Sequence, residues 1–303
     1  MPEAPIAIIS GWDGGLGRGH IQRMASLLDH LVHRTDMPAV LIAGRPPDFF
    51  PEDLRRYVLP APAGRVALFV RDMRDSTAEE IRLLQKTAPV LCVDDLGPGR
   101  DLADRAVDLL PNPARPDRLP DRGLFLYGYG FRTALAALAD AVVPKTIDCA
   151  IYAGAASSDD DVSRLLSLVP DDSACAVFRG RGSFLRRGSS VKAIGQDGYA
   201  RLLLSSRLLI SHFGISLYEA RAALCRPVAL NPTEYHSNLC DIAPEELGIV
   251  NLGTRDSLDP SAAAAAIREI LAEPPVGEVS ASAVHSAVRE NLDRFCALLR
   301  TML

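Results

Sequence analysis

Residues 15–23 read Gly-Leu-Gly-Arg-Gly-His-Ile-Gln-Arg and follow closely on the apolar run Ile6-Ala7-Ile8-Ile9. That order is strand, glycine loop, helix, with His20 in the first helical turn. An imidazole there can take a proton from water or from a bound hydroxyl near neutral pH. Gly15, Gly17 and Gly19 leave the loop almost without side chains. A substrate can then approach the backbone, and the helix N-terminus adds partial positive charge. The plainer reading is a tight βα turn whose histidine caps a helix. Arg23, one turn further on, favours a site.

The same stretch fails as a dinucleotide fingerprint. G-x-G-x-x-G needs a third glycine and an acidic residue about 20 positions later. His20 stands at the third glycine, and the next apolar run ends Leu41-Ile42-Ala43-Gly44-Arg45 with no acid. The phosphate-loop pattern G-x-x-x-x-G-K-[ST] is absent as well.

A second set of candidates lies at 208–219, Leu-Leu-Ile-Ser-His-Phe-Gly-Ile-Ser-Leu-Tyr-Glu. A buried strand runs into a short loop, and the amide groups of Gly214, Ile215 and Ser216 open a helix suited to a diphosphate. Glu219, about one turn inside, can accept both hydroxyls of a ribose. It can equally balance the helix dipole behind a Ser216 cap. A helix, a turn and a strand then lead to the polar loop 231–238, which holds Glu234, Tyr235, His236 and Asn238.

The elements that must position these residues alternate between short apolar runs and amphipathic segments, the mark of βα units. In the first half, strands are predicted near 5–10, 38–43, 66–70, 89–93, 106–110 and 124–127, with helices near 20–33 and 76–87. Ile21, Met24, Leu27, Leu28, Leu31 and Val32 recur at helical spacing. A connecting helix over 131–144 ends at Pro144. The pattern then restarts, with strands near 148–152, 174–178, 190–194, 207–210 and 227–230. Helices are predicted near 159–169, 197–204, 215–224, 235–242 and 260–272. The expected organisation is two doubly wound Rossmann-like domains, 1–145 and 146–303, facing a central cleft. The last helix, about 280–301, is a candidate to cross back to the first domain.

Composition narrows the classes. The chain has 303 residues, 48% hydrophobic and 23% charged, with a net charge of −5, so a general nucleic-acid surface is not expected. Six cysteines are scattered without a C-x-x-C or a histidine at metal spacing, and read as reduced, buried thiols of a cytoplasmic protein. The N-terminus lacks a basic segment, and no apolar stretch is long enough to span a membrane. No metal or cofactor is called for. Asp159-Asp160-Asp161 contains a formal D-x-D but opens a helix, where dipole compensation is the better reading. Segment 179–192 holds Arg179, Arg181, Arg186, Arg187 and Lys192 without an acid, and reads equally as a phosphate-binding surface or a solvated loop.

The second-half motifs resemble the donor-nucleotide half of GT-B glycosyltransferases, the lipid II–forming transferases especially. The resemblance implies that Glu219 holds ribose and that Glu234 and Asn238 sit in the loop contacting sugar and phosphates, with Tyr235 at the family's Gln position. The N-terminal Gly17-Arg18-Gly19-His20-Ile21-Gln22-Arg23 is similar to the G-x-G-H-x-x-R stretch of the UDP-sugar hydrolases of pseudaminic acid biosynthesis and their spore-coat polysaccharide relatives. Those proteins also carry an Asp pair after a mid-domain strand, here Asp94-Asp95, and a short strand ending in Asn, here Asn112. Their second domain opens strand-Gly-Gly, here Gly154-Ala155 followed by Ser157.

By that resemblance His20, Asp94 and Asp95 are the catalytic candidates, and Gly17, Gly19, Arg23 and Asn112 the substrate-binding ones. Gly154, Ser157, Arg179, Gly214, Ile215, Ser216, Glu219, Glu234 and Asn238 are the nucleotide-binding candidates. The implied reaction is hydrolysis of a nucleotide sugar, UDP favoured, with His20 as general base and release of UDP and a free sugar. An inverting glycosyltransferase using the same base, and a non-catalytic sugar-nucleotide-binding protein, are the alternatives.

Overall fold

The computed structural model describes residues 4–12, 18–116, 118, 120–153, 158–178, 186–187, 198–274 and 277–303. The chain divides into two compact units, Met1–Tyr129 with Val288–Leu303, and Gly130–Ala287.

The first unit is built on strands β1 (Ile6–Ser10), β2 (Ala39–Ile42), β3 (Val58–Leu59), β4 (Leu68–Asp72), β5 (Val90–Val93) and β6 (Arg105–Val107), ordered β3-β2-β1-β4-β5-β6 and parallel throughout. Ile6, Ala7 and Ile8 are fully buried, as expected of a central parallel strand covered on both faces. Helix α1 (Gly19–Arg34) buries the Ile21, Met24, Leu27, Leu28, Leu31 stripe. Each such side chain contributes roughly 1.5–3 kcal/mol by leaving water. Helix α2 (Ala78–Gln85) starts at Thr77, whose side chain accepts from the Glu80 amide. The strand order reverses at β1 and β4, so the C-terminal ends of these two strands flank the crevice where such sheets bind ligands.

The second unit repeats the plan. Helix α3 (Tyr129–Leu138) precedes β7 (Val142–Val143), β8 (Ile147–Tyr152), α4 (Asp159–Ser167), β9 (Cys175–Phe178), β10 (Arg186–Arg187) and α5 (Gly198–Ser205). There follow β11 (Ser206–Ser211), α6 (Ile215–Ala222), β12 (Arg226–Asn231), α7 (Glu234–Asp241), β13 (Val250–Thr254), α8 (Pro260–Ala272), β14 (Val279–Ser280) and α9 (Ala281–Arg300). The main sheet runs β10-β9-β8-β11-β12-β13, with β10 antiparallel at one edge and the reversal between β8 and β11. Its core packs Cys149, Ile151, Val162, Val177, Leu208, Ile210, Val228 and Ile267. Each unit is thus a doubly wound, Rossmann-like α/β domain.

Several elements depart from the sequence expectation. Residues 124–127 form no strand: Phe125 and Leu126 are buried in irregular chain after a short turn of 3₁₀ helix, because an apolar run reads the same whether or not a ladder partner is there. Helix α3 stops at Leu138, where Ala139 turns left-handed at φ 46°, short of Pro144. The strand expected at 190–194 lies outside the described residues. Strands β3 and β13 lie outside the expected set and have no apolar run to mark them, because their side chains are only half buried, apart from Thr254. The division falls at Tyr129/Gly130, ahead of 145, because α3 goes with the second unit, where Phe131 meets Tyr199 edge-on at 6.3 Å. Helix α9 runs from the second unit into the first, where His30 pairs with Asp293 at 2.9 Å and Arg300 with Asp36 at 3.0 Å.

All six cysteines are buried and free, and burial pushes the thiols of Cys92, Cys225, Cys240 and Cys296 up to about 12. Among the described residues no helix is long and apolar enough to cross a membrane.

Candidate functional site

The C-terminal edge of the first sheet gathers charge where its strand order reverses. His20, in the first turn of α1, places Nδ1 at 2.6 Å from Asp72 Oδ1 at the end of β4. Arg23, one turn along α1, donates to Asp72 through Nε at 2.7 Å and Nη2 at 2.5 Å, and to Asp94 Oδ2 through Nη1 at 2.5 Å. The same Nη2 lies 3.3 Å from His20 Nδ1. His20 is 5% exposed, Arg23 3% and Asp72 0%.

Burial by itself pushes the Asp72 carboxyl up, but Arg23 and His20 outweigh it and hold the group well below the usual carboxylate range. Asp72 is therefore ionised at neutral pH and can only accept, so the His20 proton on that side sits on Nδ1. In the neutral ring Nε2 then carries the lone pair that a general base requires.

Asp94 and Asp95 follow β5 but differ in use. Asp94 adopts a left-handed backbone at φ 48° and takes the Leu109 and Leu110 amides on Oδ1 at 2.6 and 3.0 Å, with Arg23 on Oδ2. Burial raises its carboxyl against the pull of Arg23. Asp95 is fully buried between Arg71 Nη1 at 2.9 Å and the amides of Ser76 and Gly97 at 3.1 and 2.8 Å. That packing demands Gly97, since a Cβ there would meet the Ser76 carbonyl oxygen at 2.2 Å. The sequence expectation made both aspartates catalytic and made Arg23 and Asn112 substrate contacts. In the structure all four have their polar groups engaged inside the protein. Asn112 is 3% exposed, bonding Asp108 at 3.2 Å and the Ala114 amide at 2.9 Å as an Asx turn. Gly19 is the first residue of α1, and Gly17 lies outside the described residues.

In the second unit the C-terminal ends of β8, β9 and β11 carry an aromatic cluster. Phe178 stacks on Tyr152 and on Tyr199, each at 5.2 Å, and His212 stacks on Tyr152 at 6.2 Å. Glu219 is 4% exposed on α6 and accepts from the Tyr199 hydroxyl on Oε2 at 3.0 Å. Burial, with the Glu219 charge beside it, pushes that hydroxyl well above its ordinary value, so it remains a donor. Gly214 precedes α6 at φ 157°, ψ −172°, a conformation open to glycine. The loop before it is pinned by the fully buried Asn231, whose Oδ1 accepts from the Phe213 amide at 2.9 Å. Ile215 and Ser216 are half-buried in the first turn of α6. Glu234 and Asn238 are exposed, one turn apart on α7.

His212 stands directly after β11, edge-on to His236 at 6.3 Å, and Thr233 Oγ1 lies 2.8 Å from His236 Nδ1. Burial, then His236 and Arg255, pushes His212 down to about 4, so it is a neutral imidazole at pH 7. Asp161 closes a capping box with Ser158 and pairs with Arg255 at 3.1 Å, which is the use expected of helix-start carboxylates. Gly154, Ser157 and Arg179 lie outside the described residues, as do the side chains of the basic segment from 179 to 192. Among the described residues no three His, Cys, Asp or Glu side chains cluster as metal ligands.

Sequence reasoning missed Asp72, Tyr199, His212 and Asn231. Three of them end or directly follow a parallel strand, where this architecture concentrates its chemistry, and that position was the available signal.

No family model matches the chain, and no curated protein matches it. Among solved structures it is similar to the glycotransferase of kitacinnamycin, with a TM-score of 0.57 and 13% identity over 100% of both chains. It also matches the glycosyltransferase SnogD from Streptomyces nogalater at 14% identity, over 95% of this chain and 100% of that one, with a TM-score of 0.36. The fold is of the GT-B kind, with two Rossmann-like domains.

Proposed function

We propose that this chain is an inverting glycosyltransferase that moves a sugar from a nucleotide, UDP favoured, to an acceptor hydroxyl. The observation that carries the reading is the pairing of His20 with an ionised, buried Asp72 at the C-terminal edge of the first sheet. His20 Nε2 accepts the acceptor's proton as its oxygen attacks the anomeric carbon. The bond from that carbon to the diphosphate breaks, and its electron pair leaves with the nucleotide. The imidazolium formed is stabilised by Asp72.

In this reading the second unit holds the nucleotide. The amides of Gly214, Ile215 and Ser216 at the start of α6, with His212, face the developing diphosphate charge. Glu219, oriented by Tyr199, takes the ribose, and Glu234 and Asn238 contact the sugar. Water can replace the acceptor at the same base, which is hydrolysis, the reaction implied by the sequence resemblance. The likeness in fold to a glycotransferase supports transfer over hydrolysis.

The test is incubation with UDP-, CMP- and GDP-sugars, with and without sugar and aglycone alcohols, reading nucleotide release. Release that depends on acceptor supports the reading. Equal release without acceptor replaces transfer by hydrolysis, and binding without any release makes the chain a non-catalytic binder.

A further inference from the structure

The guanidinium of Arg23 sits where the sequence suggested a substrate contact, yet it is 3% exposed and faces only protein. Its two ends do different things. One end grips Asp72 through Nε and Nη2, one nitrogen on each carboxylate oxygen, a bidentate geometry that fixes the plane of the carboxylate. The other end, Nη1, is anchored on Asp94, itself locked by the Leu109 and Leu110 amides. Asp72 Oδ1 is thereby shared by Arg23 Nη2 and His20 Nδ1.

We propose that Arg23 is a positioning residue that sets the tautomer of His20, an inference that rests on reading His20 as the base. The argument is electrostatic. A carboxylate with no exposure has nothing but its partners to keep it ionised, since burial favours the neutral acid. Take Arg23 away and the buried pair has two ways to shed the uncompensated charge. Asp72 can gain a proton and donate it to Nδ1, which moves the ring proton to Nε2. Alternatively the ring takes up a second proton, and the imidazolium replaces Arg23 as the cation beside the carboxylate. Both outcomes protonate Nε2 and remove the lone pair that a base needs. With Arg23 in place the ionised carboxylate holds the proton of the neutral ring on Nδ1, which leaves the lone pair on Nε2. The left-handed backbone of Asp94 belongs to the same device. A residue held in that conformation persists where its surroundings over-determine it, and here the carboxylate it aims bears the far end of the clamp.

The test is imidazole ¹⁵N NMR on the full-length protein without substrate at neutral pH, with His20→Ala used to assign the resonance. Wild type is expected to show a bare, pyridine-like Nε2 and a protonated Nδ1. In Arg23→Gln the Nε2 resonance is expected to move to the protonated position, and kcat to fall about 10²-fold or more with KM for the nucleotide sugar little changed. Arg23→Lys keeps the charge but cannot span both Asp72 oxygens. It is expected to fold even if the glutamine variant does not, and to show Nε2 shifted part of the way. A bare Nε2 in Arg23→Lys, or in a folded Arg23→Gln, overturns the proposal. Full turnover in His20→Ala is a separate result: it overturns the base reading itself.

Discussion

His20 and Asp72 stand 52 residues apart in the chain and 2.6 Å apart in space, joined across the reversal of strand order in the first sheet. The separation is closed by the βαβ plan. Helix α1 is the element after β1 in the chain, β4 lies beside β1, and Ser10 is in register with Asp72. The histidine from the start of the helix and the carboxylate from the end of the neighbouring strand then meet at one edge.

That pair gives the first prediction. His20→Ala and Asp72→Asn should each lower turnover by about 10²–10⁴, the range for a positioned general base and for one left in the wrong tautomer. Nucleotide affinity, assigned to the second unit, should hold. Near-normal kcat in either variant counts against the dyad.

Glu219 is buried and held by the Tyr199 hydroxyl. Glu219→Gln should weaken nucleoside diphosphate binding by about 1–3 kcal/mol, the value of a hydrogen bond to a charged group. Tyr199→Phe removes one hydrogen bond from the carboxylate and should weaken binding less. Calorimetry that finds equal affinity in all three proteins, with melting temperature alone changed, makes Glu219 a structural residue.

Lys145 ties together two helix ends, donating to the carbonyls of Leu203 at 3.2 Å and Ala223 at 2.8 Å. Burial pushes its amine down to about 8 from an ordinary 10.5. An amine that loses its proton earlier in the folded state favours folding as pH rises. Its contribution is complete above 10.5 and is lost as pH falls through about 8. Wild type should therefore gain stability between pH 8 and 10 relative to Lys145→Met, which lacks the titration. Parallel unfolding midpoints across that pH range refute the assignment.

Nucleotide binding and turnover should survive EDTA. Asp161 of the D-x-D is closed in a capping box and paired with Arg255, and the carboxylates of Asp94 and Asp95 are occupied by arginines and amides. A hundredfold loss in EDTA, restored by Mg²⁺ or Mn²⁺, returns those carboxylates to consideration as ligands.

The βα alternation, the restart of the pattern in the second half, the α1 stripe and the candidacy of His20 are all written locally. Spacing of 3.6 residues marks a helix, and a short apolar run bounded by turns marks a buried strand. Glycines ahead of His20 mark a close approach. None of these signals depends on which strand lies beside which. The partners of the site residues do depend on that. Asp72 reads in sequence as the polar end of Leu-Phe-Val-Arg-Asp, and only the placement of β4 next to β1 makes it the partner of His20. Arg23 and Asp95 have the residue types of a substrate site, and only burial and pairing, Arg23 with Asp72 and Asp94 and Asp95 with Arg71, show that their charges are already satisfied. The run at 124–127 was indistinguishable from a strand because apolarity is local and a ladder partner is not. What the chain encodes at short range is which residues seek the core and which seek an edge. Which charge meets which is settled by long-range strand order, because an ion pair is decided by a few ångströms that no spacing along the sequence records.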